Sequence, residues 1–152
     1  VSGLNLYQGQ FDVIPLDSQG QFKESFNIRL EEINVIDIQF LHGYSVPTIC
    51  VLYEDNRHNR SARHIKTYGI SLKDMEFVEG PWSQPNVDMD TNMIIPIPEP
   101  AGGVLILGQE TIAYRNGRSG RSGHTATTIP IHVRCGSIRA FAQVDAGGLR
   151  WL

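Results

Sequence analysis

The clearest candidate for chemistry in this sequence is a glycine-rich run that could cradle a phosphate. Residues 117–123 read Gly-Arg-Ser-Gly-Arg-Ser-Gly. A Walker-type phosphate loop needs a lysine followed by Ser or Thr, with a helix directly after it, because the helix amino terminus holds the anion. The chain has neither feature here. We therefore predict no phosphate site, and a flexible Gly/Ser/Thr-rich loop over residues 116–128.

Histidine and cysteine are the other residue types that could bind a metal or act as a nucleophile. The sequence has five histidines and two cysteines, without the spacing of a zinc site and without a Cys-x-x-Cys pair. Cys50 lies in an apolar run, where a cysteine is usually a small buried side chain with a raised pKa. We expect no catalytic residue, no metal and no cofactor.

Basic residues gather in two segments and could contact a phosphate backbone. They are Arg57, Arg60 and Arg63 in the first segment, and Arg115, Arg118 and Arg121 in the second. Few aromatic residues interleave with them, so the pattern does not predict a stacking platform for single-stranded nucleic acid. Weak, salt-dependent contact through Arg57, Arg60 and Arg63 is one interpretation, and a solvated loop is the other.

Composition and charge narrow the class of protein. A net charge of -3 argues against the whole chain being a nucleic-acid binder, and 41% hydrophobic residues are typical of folded material. No stretch is long and apolar enough to cross a bilayer, and the first residues do not form a signal peptide. The few cysteines favour a reduced, intracellular compartment. Because the chain starts without Met and ends within a strand-like segment, we expect a piece of a longer protein.

Short strand patterns fill the chain, and no segment has the periodicity of a helix. Residues 26–30 alternate apolar and polar side chains, and residues 64–72 are also predicted to alternate. The near-continuous apolar run 48–53 is typical of a strand buried on both faces. A polar insertion is expected over 54–63, and further strands over 35–41 and 110–114.

A weak internal repeat points to a propeller. A strand, a turn rich in Pro and Gly, an apolar strand and an alternating strand recur, with a third start expected near residues 137–142. The spacing of roughly forty to sixty residues is that of propeller blades. We predict an all-β fold: a partial β-propeller of about two to three blades of antiparallel strands, with residues 1–152 forming one incomplete propeller domain. Its end blades should leave strand edges and apolar faces such as residues 104–107 uncovered.

Several stretches together resemble a known family. They are residues 3–9, 26–32, 47–50, 63–68 and 97–103. In this order they resemble the first propeller of the family that includes the large subunit of the damage-specific DNA-binding complex. The resemblance runs from about residue 3 to residue 114 and resumes weakly at 144–152, with a longer segment at 56–62 and no clear correspondence over 118–136. Large subunits of the splicing and mRNA cleavage machineries share the Pro-x-Pro-x-Gly-Gly turn and are the alternative.

The resemblance implies a scaffold in place of an enzyme. Members of this family act as adaptors of a cullin-RING ubiquitin ligase in DNA repair and protein turnover, in the nucleus and also the cytoplasm. Their first and third propellers hold substrate-receptor proteins, the second holds the cullin, and a smaller damaged-DNA-binding subunit makes the DNA contacts. On that basis nucleic-acid contact is indirect and no membrane is involved.

One strand offers candidate residues for partner binding. Alternation places Asn27, Arg29 and Glu31 on a polar face, opposite Ile28 and Leu30. A planar arginine donor suits the carbonyls or carboxylates of a partner. We predict that Asn27, Arg29 and Glu31 contact a receptor protein, with a simply solvated strand as the alternative.

Overall fold

Eleven antiparallel strands make up most of the part of the chain that the structure describes. The computed structural model describes residues 2–5, 9–32, 34–55, 62–109, 111–117 and 127–130, with the backbone alone for 2–5 and 127–130. The strands are β1 (Ser2–Asn5), β2 (Gln10–Ile14), β3 (Phe26–Arg29), β4 (Asn34–Leu41), β5 (Thr48–Asp55), β6 (Ala62–Ser71), β7 (Glu76–Val87), β8 (Met93–Pro96), β9 (Val104–Leu107), β10 (Thr111–Arg115) and β11 (Thr127–Pro130). Within these residues no helix is long and apolar enough to cross a membrane.

The strands form three sheets in which neighbours along the chain pair with each other. The orders are β1-β2-β3, β4-β5-β6-β7 and β8-β9-β10-β11. Every pairing is antiparallel. A four-stranded antiparallel meander is the unit of a propeller blade. The predicted all-β, partial propeller fold is therefore confirmed.

The middle sheet is covered on both faces, which explains its apolar central strand. On β5, Ile49 and Val51 join a core cluster with residues of the first sheet. Cys50 and Leu52 point the other way and join a second cluster with residues of the third sheet. Because successive side chains of a strand face opposite ways and both faces are covered, residues 48–52 are all buried, as the apolar run predicted, while Tyr53 is half-buried.

The first core cluster joins the β1–β3 sheet to the middle sheet. Phe11, Val13, Ile28 and Leu30 of the first sheet and its exit are buried in it. Phe77 of β7 covers its edge, with its ring centroid 5.8 Å from that of Phe11. The alternation read in residues 26–30 is confirmed, since Ile28 and Leu30 are buried while Asn27 and Arg29 are exposed.

Two strand predictions were wrong because the covering sheets cannot be read from one strand. Residues 104–107 were expected to present an uncovered apolar face, yet Val104, Ile106 and Leu107 are buried and Val104 and Ile106 pack against the middle sheet. Residues 64–72 were predicted to alternate, yet residues 67–70 are buried consecutively. In each case a neighbouring sheet covers side chains that were expected to face solvent.

Two loop predictions also need correction. The insertion predicted over 54–63 is shorter, because Glu54 of β5 pairs with Arg63 of β6, and residues 56–61 lie outside the described part. The loop predicted over 116–128 ends earlier, because Thr127 and Thr128 already lie in β11, paired with β10. Residues 118–126 and the third repeat start expected at 137–142 lie outside the described residues.

Candidate protein-interaction surface

The predicted partner-binding residues lie together on the exposed side of β3. Asn27 and Arg29 are exposed, and in the antiparallel register they oppose Asp12 and Gln10 of β2. The Asn27 Nδ2 atom donates to Asp12 Oδ1 at 2.6 Å. The Arg29 side chain makes no hydrogen bond or ion pair with any residue that the structure describes. The strand thus presents the hydrogen-bonded amide of Asn27 beside a guanidinium without a described partner.

Glu31 continues this surface just beyond the strand. Its side chain is 83% exposed, and its Oε2 lies 3.4 Å from Lys66 Nζ on β6. An exposed ion pair of this kind contributes little to stability, so Glu31 stays available to a partner. We call Asn27, Arg29 and Glu31 the β3 polar strip.

Glu32 lies next to the strip and contacts the same lysine as Glu31. It was not singled out from the sequence. It is only 5% exposed, and its Oε1 lies 3.4 Å from Lys66 Nζ. The Tyr68 hydroxyl donates to the same carboxylate. Lys66 Nζ also lies 4.7 Å from the centre of the Tyr68 ring, within the range of a cation–π contact. A signal existed, since Glu32 has the same parity as the buried Ile28 and Leu30.

This buried network shifts the pKa of two of its members. Burial raises the pKa of Tyr68, and the hydrogen bond to Glu32 raises it further. Burial alone would lower the pKa of Lys66, but its contacts with Tyr68, Glu32 and Glu31 outweigh burial and raise the pKa above its ordinary value. Lys66 is therefore held in its charged form beneath the strip.

The arrangement favours recognition over catalysis. The strip offers an amide, a guanidinium and a carboxylate on one face, backed by Asp12 and by Lys66. A guanidinium without a partner among the described residues can make paired hydrogen bonds to the carboxylate of another protein. Polar groups arranged around such an arginine are typical of protein interfaces.

Of the three predicted nucleic-acid residues, the structure describes only Arg63. Arg57 and Arg60 lie outside the described residues. Arg63 belongs to β6, where its side chain is 24% exposed and its Nε lies 3.6 Å from Glu54 Oε2. Its Nη1 donates to the Thr91 carbonyl. Arg63 is thus engaged within the fold, and a role of the three arginines in nucleic-acid binding stays a prediction.

Cys50 and His64, which were considered for a catalytic or metal site, are part of the folded structure through burial and hydrogen bonding. Cys50 is fully buried, and burial, aided by the charge of Asp37, raises the pKa of its thiol, as predicted. His64 Nδ1 accepts a hydrogen bond from the Asn86 backbone N–H. Trp82 packs against the second core cluster. Within the described ranges, no group of three His, Cys, Asp or Glu side chains could hold a metal ion.

Stacked four-stranded antiparallel sheets of this kind are the blades of a β-propeller. A family model described as "RSE1/DDB1/CPSF1 first beta-propeller" matches residues 1–149. The chain belongs to this family.

Individual relatives are similar over the whole chain. It is 54% identical over 150 residues to DNA damage-binding protein 1 of Oryza sativa subsp. japonica, which covers 99% of the chain. It is 53% identical over 152 residues to DNA damage-binding protein 1b of Arabidopsis thaliana, which covers 100% of the chain. It is 53% identical over 150 residues to DNA damage-binding protein 1 of Solanum lycopersicum, which covers 99% of the chain. The chain spans 13% of the length of each of these relatives.

Proposed function

We propose that the chain is part of a non-catalytic scaffold, an adaptor of a cullin-RING ubiquitin ligase that acts in DNA damage recognition and protein ubiquitination. Its similarity to proteins named DNA damage-binding protein 1 supports the link to damaged DNA. Its membership of a propeller family supports the scaffold role. The observation that carries the proposal is the β3 polar strip, because Arg29 is exposed and has no partner among the described residues.

In this proposal the strip contacts substrate-receptor proteins. The cullin binds through another propeller of the full-length protein, and a smaller damaged-DNA-binding subunit supplies the DNA contacts. Direct nucleic-acid binding by this chain is then weak, which agrees with its net charge of -3. The protein would act in the nucleus and also in the cytoplasm, without a membrane.

The position of Arg29 explains how such contact would be specific. Its neighbours Asn27 and Glu31 are held by Asp12 and Lys66, so the polar groups around the guanidinium are already oriented. Groups that are ordered before binding lose less conformational entropy in the complex. An acidic or carbonyl-rich segment of a receptor would meet Arg29 as a planar donor.

The test is an Arg29→Glu substitution in the natural-length protein. Reversing the charge should repel an acidic receptor segment while leaving the fold intact, because Arg29 is exposed. Affinity purification with mass spectrometry should show receptor proteins lost and the cullin retained. Lys73→Glu is the matched control, because Lys73 is exposed on the β6–β7 turn, and it should retain both.

Three outcomes would count against the proposal. Receptor proteins retained by Arg29→Glu at the wild-type level would remove the strip from the interface. Absence of any cullin from the wild-type purification would reject the adaptor role itself. Stable recovery of splicing or polyadenylation factors would favour the nucleic-acid-associated relatives of the same family.

A further inference from the structure

A small cavity lies between the middle and third sheets, away from the β3 polar strip. It has a volume of about 110 Å3. Its polar lining comes from the end of β7 and the turn after it on one side, and from β10 on the other. These residues are Gln84, Asn86, Asp88, Thr91, Thr111 and Arg115.

Arg115 is the only cation in this lining. Its side chain makes no ion pair or hydrogen bond with the residues that the structure describes, and its Nε is buried without a hydrogen-bond partner among them. Burial lowers the pKa of Arg115, as expected for a cation that has lost solvent without gaining an anion. A buried guanidinium N–H left without an acceptor in this way is costly.

The other side of the cavity does not supply that acceptor. The Asp88 carboxylate receives a hydrogen bond from the Thr111 hydroxyl, and no ion pair joins Asp88 to Arg115. The indole Nε1 of Trp82, which packs in the same layer between the sheets as Ala113, is a second buried donor without a partner. Arg115 Nε and Trp82 Nε1 are therefore two buried donors that lack an acceptor among the described residues.

We propose that this cavity binds a carboxylate group through Arg115. A carboxylate is planar, carries the missing negative charge and matches the fork of a guanidinium. The volume sets the size of the ligand, since a cavity of about 150 Å3 holds a benzene molecule. A group the size of acetate or of a Glu side chain fits, and a nucleotide does not. The proposal is independent of the adaptor role.

The site is tested by protection of Arg115 from chemical modification in the natural-length protein. Methylglyoxal, a small arginine-specific reagent, should modify Arg115, because a cavity that admits a carboxylate admits this reagent. Sodium acetate should protect Arg115 with a saturable dose dependence, measured on its proteolytic peptide by mass spectrometry. Free N-acetylarginine added to the same reaction is the control, since it should react equally with and without acetate.

The source of the carboxylate is distinguished by two capped peptides, acetyl-Gly-Glu-Gly-amide and its Gln counterpart. Protection by the Glu peptide as well as by acetate points to a side chain of a bound protein, and protection by acetate alone points to a free small acid. Protection by the Gln peptide at equal concentration would overturn the assignment to a carboxylate.

A variant of the opposite wall makes the test sharper. Asp88→Asn removes the repelling charge across the cavity, so half-maximal protection should need a few-fold less acetate. Asp17→Asn lies in the turn between β2 and β3, outside the cavity, and should leave the curve unchanged. The proposal is overturned if Arg115 resists the reagent without acetate, if sodium chloride of equal ionic strength protects as well, or if Asp88→Asn has no effect.

Discussion

The Tyr68 hydroxyl lies 2.7 Å from Oε1 and 2.8 Å from Oε2 of Glu32, so a single phenol group caps a buried carboxylate that follows β3. The two residues are 36 positions apart in the chain, with Tyr68 on β6 of the middle sheet and Glu32 in the connection between β3 and β4. Because Lys66 approaches the same carboxylate, the contact ties the first sheet to the middle sheet at the base of the β3 polar strip. The strip and the core are therefore mechanically linked.

Removing the Tyr68 hydroxyl should destabilise the protein. In Tyr68→Phe the Glu32 carboxylate stays buried but loses its closest donor, which should lower the free energy of unfolding by about 1–3 kcal/mol. Urea unfolding followed by fluorescence measures the change. Tyr44→Phe is the control, because Tyr44 is half-buried and has no hydroxyl contact among the described residues, and it should change little. Equal stability of the two variants would show that the Glu32 contact is not stabilising.

The same network predicts a loss of stability at alkaline pH. The folded-state pKa values of Lys66 and Tyr68 are raised, so the folded protein binds protons more tightly than the unfolded chain. Their contribution is complete below the ordinary pKa values of about 10 for tyrosine and 10.4 for lysine, and it declines as the pH rises above them. The free energy of unfolding should therefore fall between about pH 8, which lies below both ordinary pKa values, and about pH 11, which lies above them.

Lys66→Met identifies the residue responsible for that alkaline loss. The variant should be less stable than the wild type at about pH 8, where the lysine ammonium is charged. Its free energy of unfolding should fall less steeply at higher pH, because the titrating ammonium is gone. Lys23→Met, at an exposed position, should follow the wild-type curve. A wild-type curve that stays flat up to pH 11 (above both ordinary pKa values, about 10 and 10.4) would contradict the assignment.

Much of the fold could be predicted from period-two alternation, and the covering contacts could not. Alternation and apolar runs located β3 and β5 and identified Cys50 as buried. The pattern of one strand gives the direction of each side chain, but it does not say which sheet lies opposite. Val104 was therefore expected to be exposed and is buried, and the partner of Glu32 could not be found 36 residues away. Arg63 shows the same limit, since its Nη1 donates to the carbonyl of Thr91, 28 residues away in the turn between β7 and β8.

A carboxylate on β4 should hold the middle and third sheets together. Asp37 Oδ2 accepts a hydrogen bond from the Ile94 backbone N–H of β8 at 2.9 Å. Asp37→Ala leaves that buried N–H without a partner and should cost about 1–3 kcal/mol of unfolding free energy. Asp37→Asn keeps an oxygen acceptor and should cost less. Asp90→Ala, at an exposed site, is the control, and an Asp37→Ala protein as stable as this control would refute the tie.

The pairing of β6 with β7 is irregular. The register shifts between Lys66 and Tyr68, so the ladder is interrupted at Thr67. The buried Thr67 hydroxyl takes over, donating to the Trp82 carbonyl and accepting from the Trp82 N–H at 3.1 Å. Thr67→Val keeps the shape of the side chain but leaves two backbone groups unpaired.

Thr67→Val should therefore lower the unfolding free energy by about 1–3 kcal/mol and speed hydrogen exchange at the Trp82 amide. Thr67→Ser keeps the hydroxyl and should preserve the protection of that amide, losing only the packing of one methyl group. This pair separates hydrogen bonding from volume, because valine keeps the volume and serine keeps the bonds. If Trp82 exchanges at the same rate in the valine variant as in the wild type, the hydroxyl does not close the gap in the ladder.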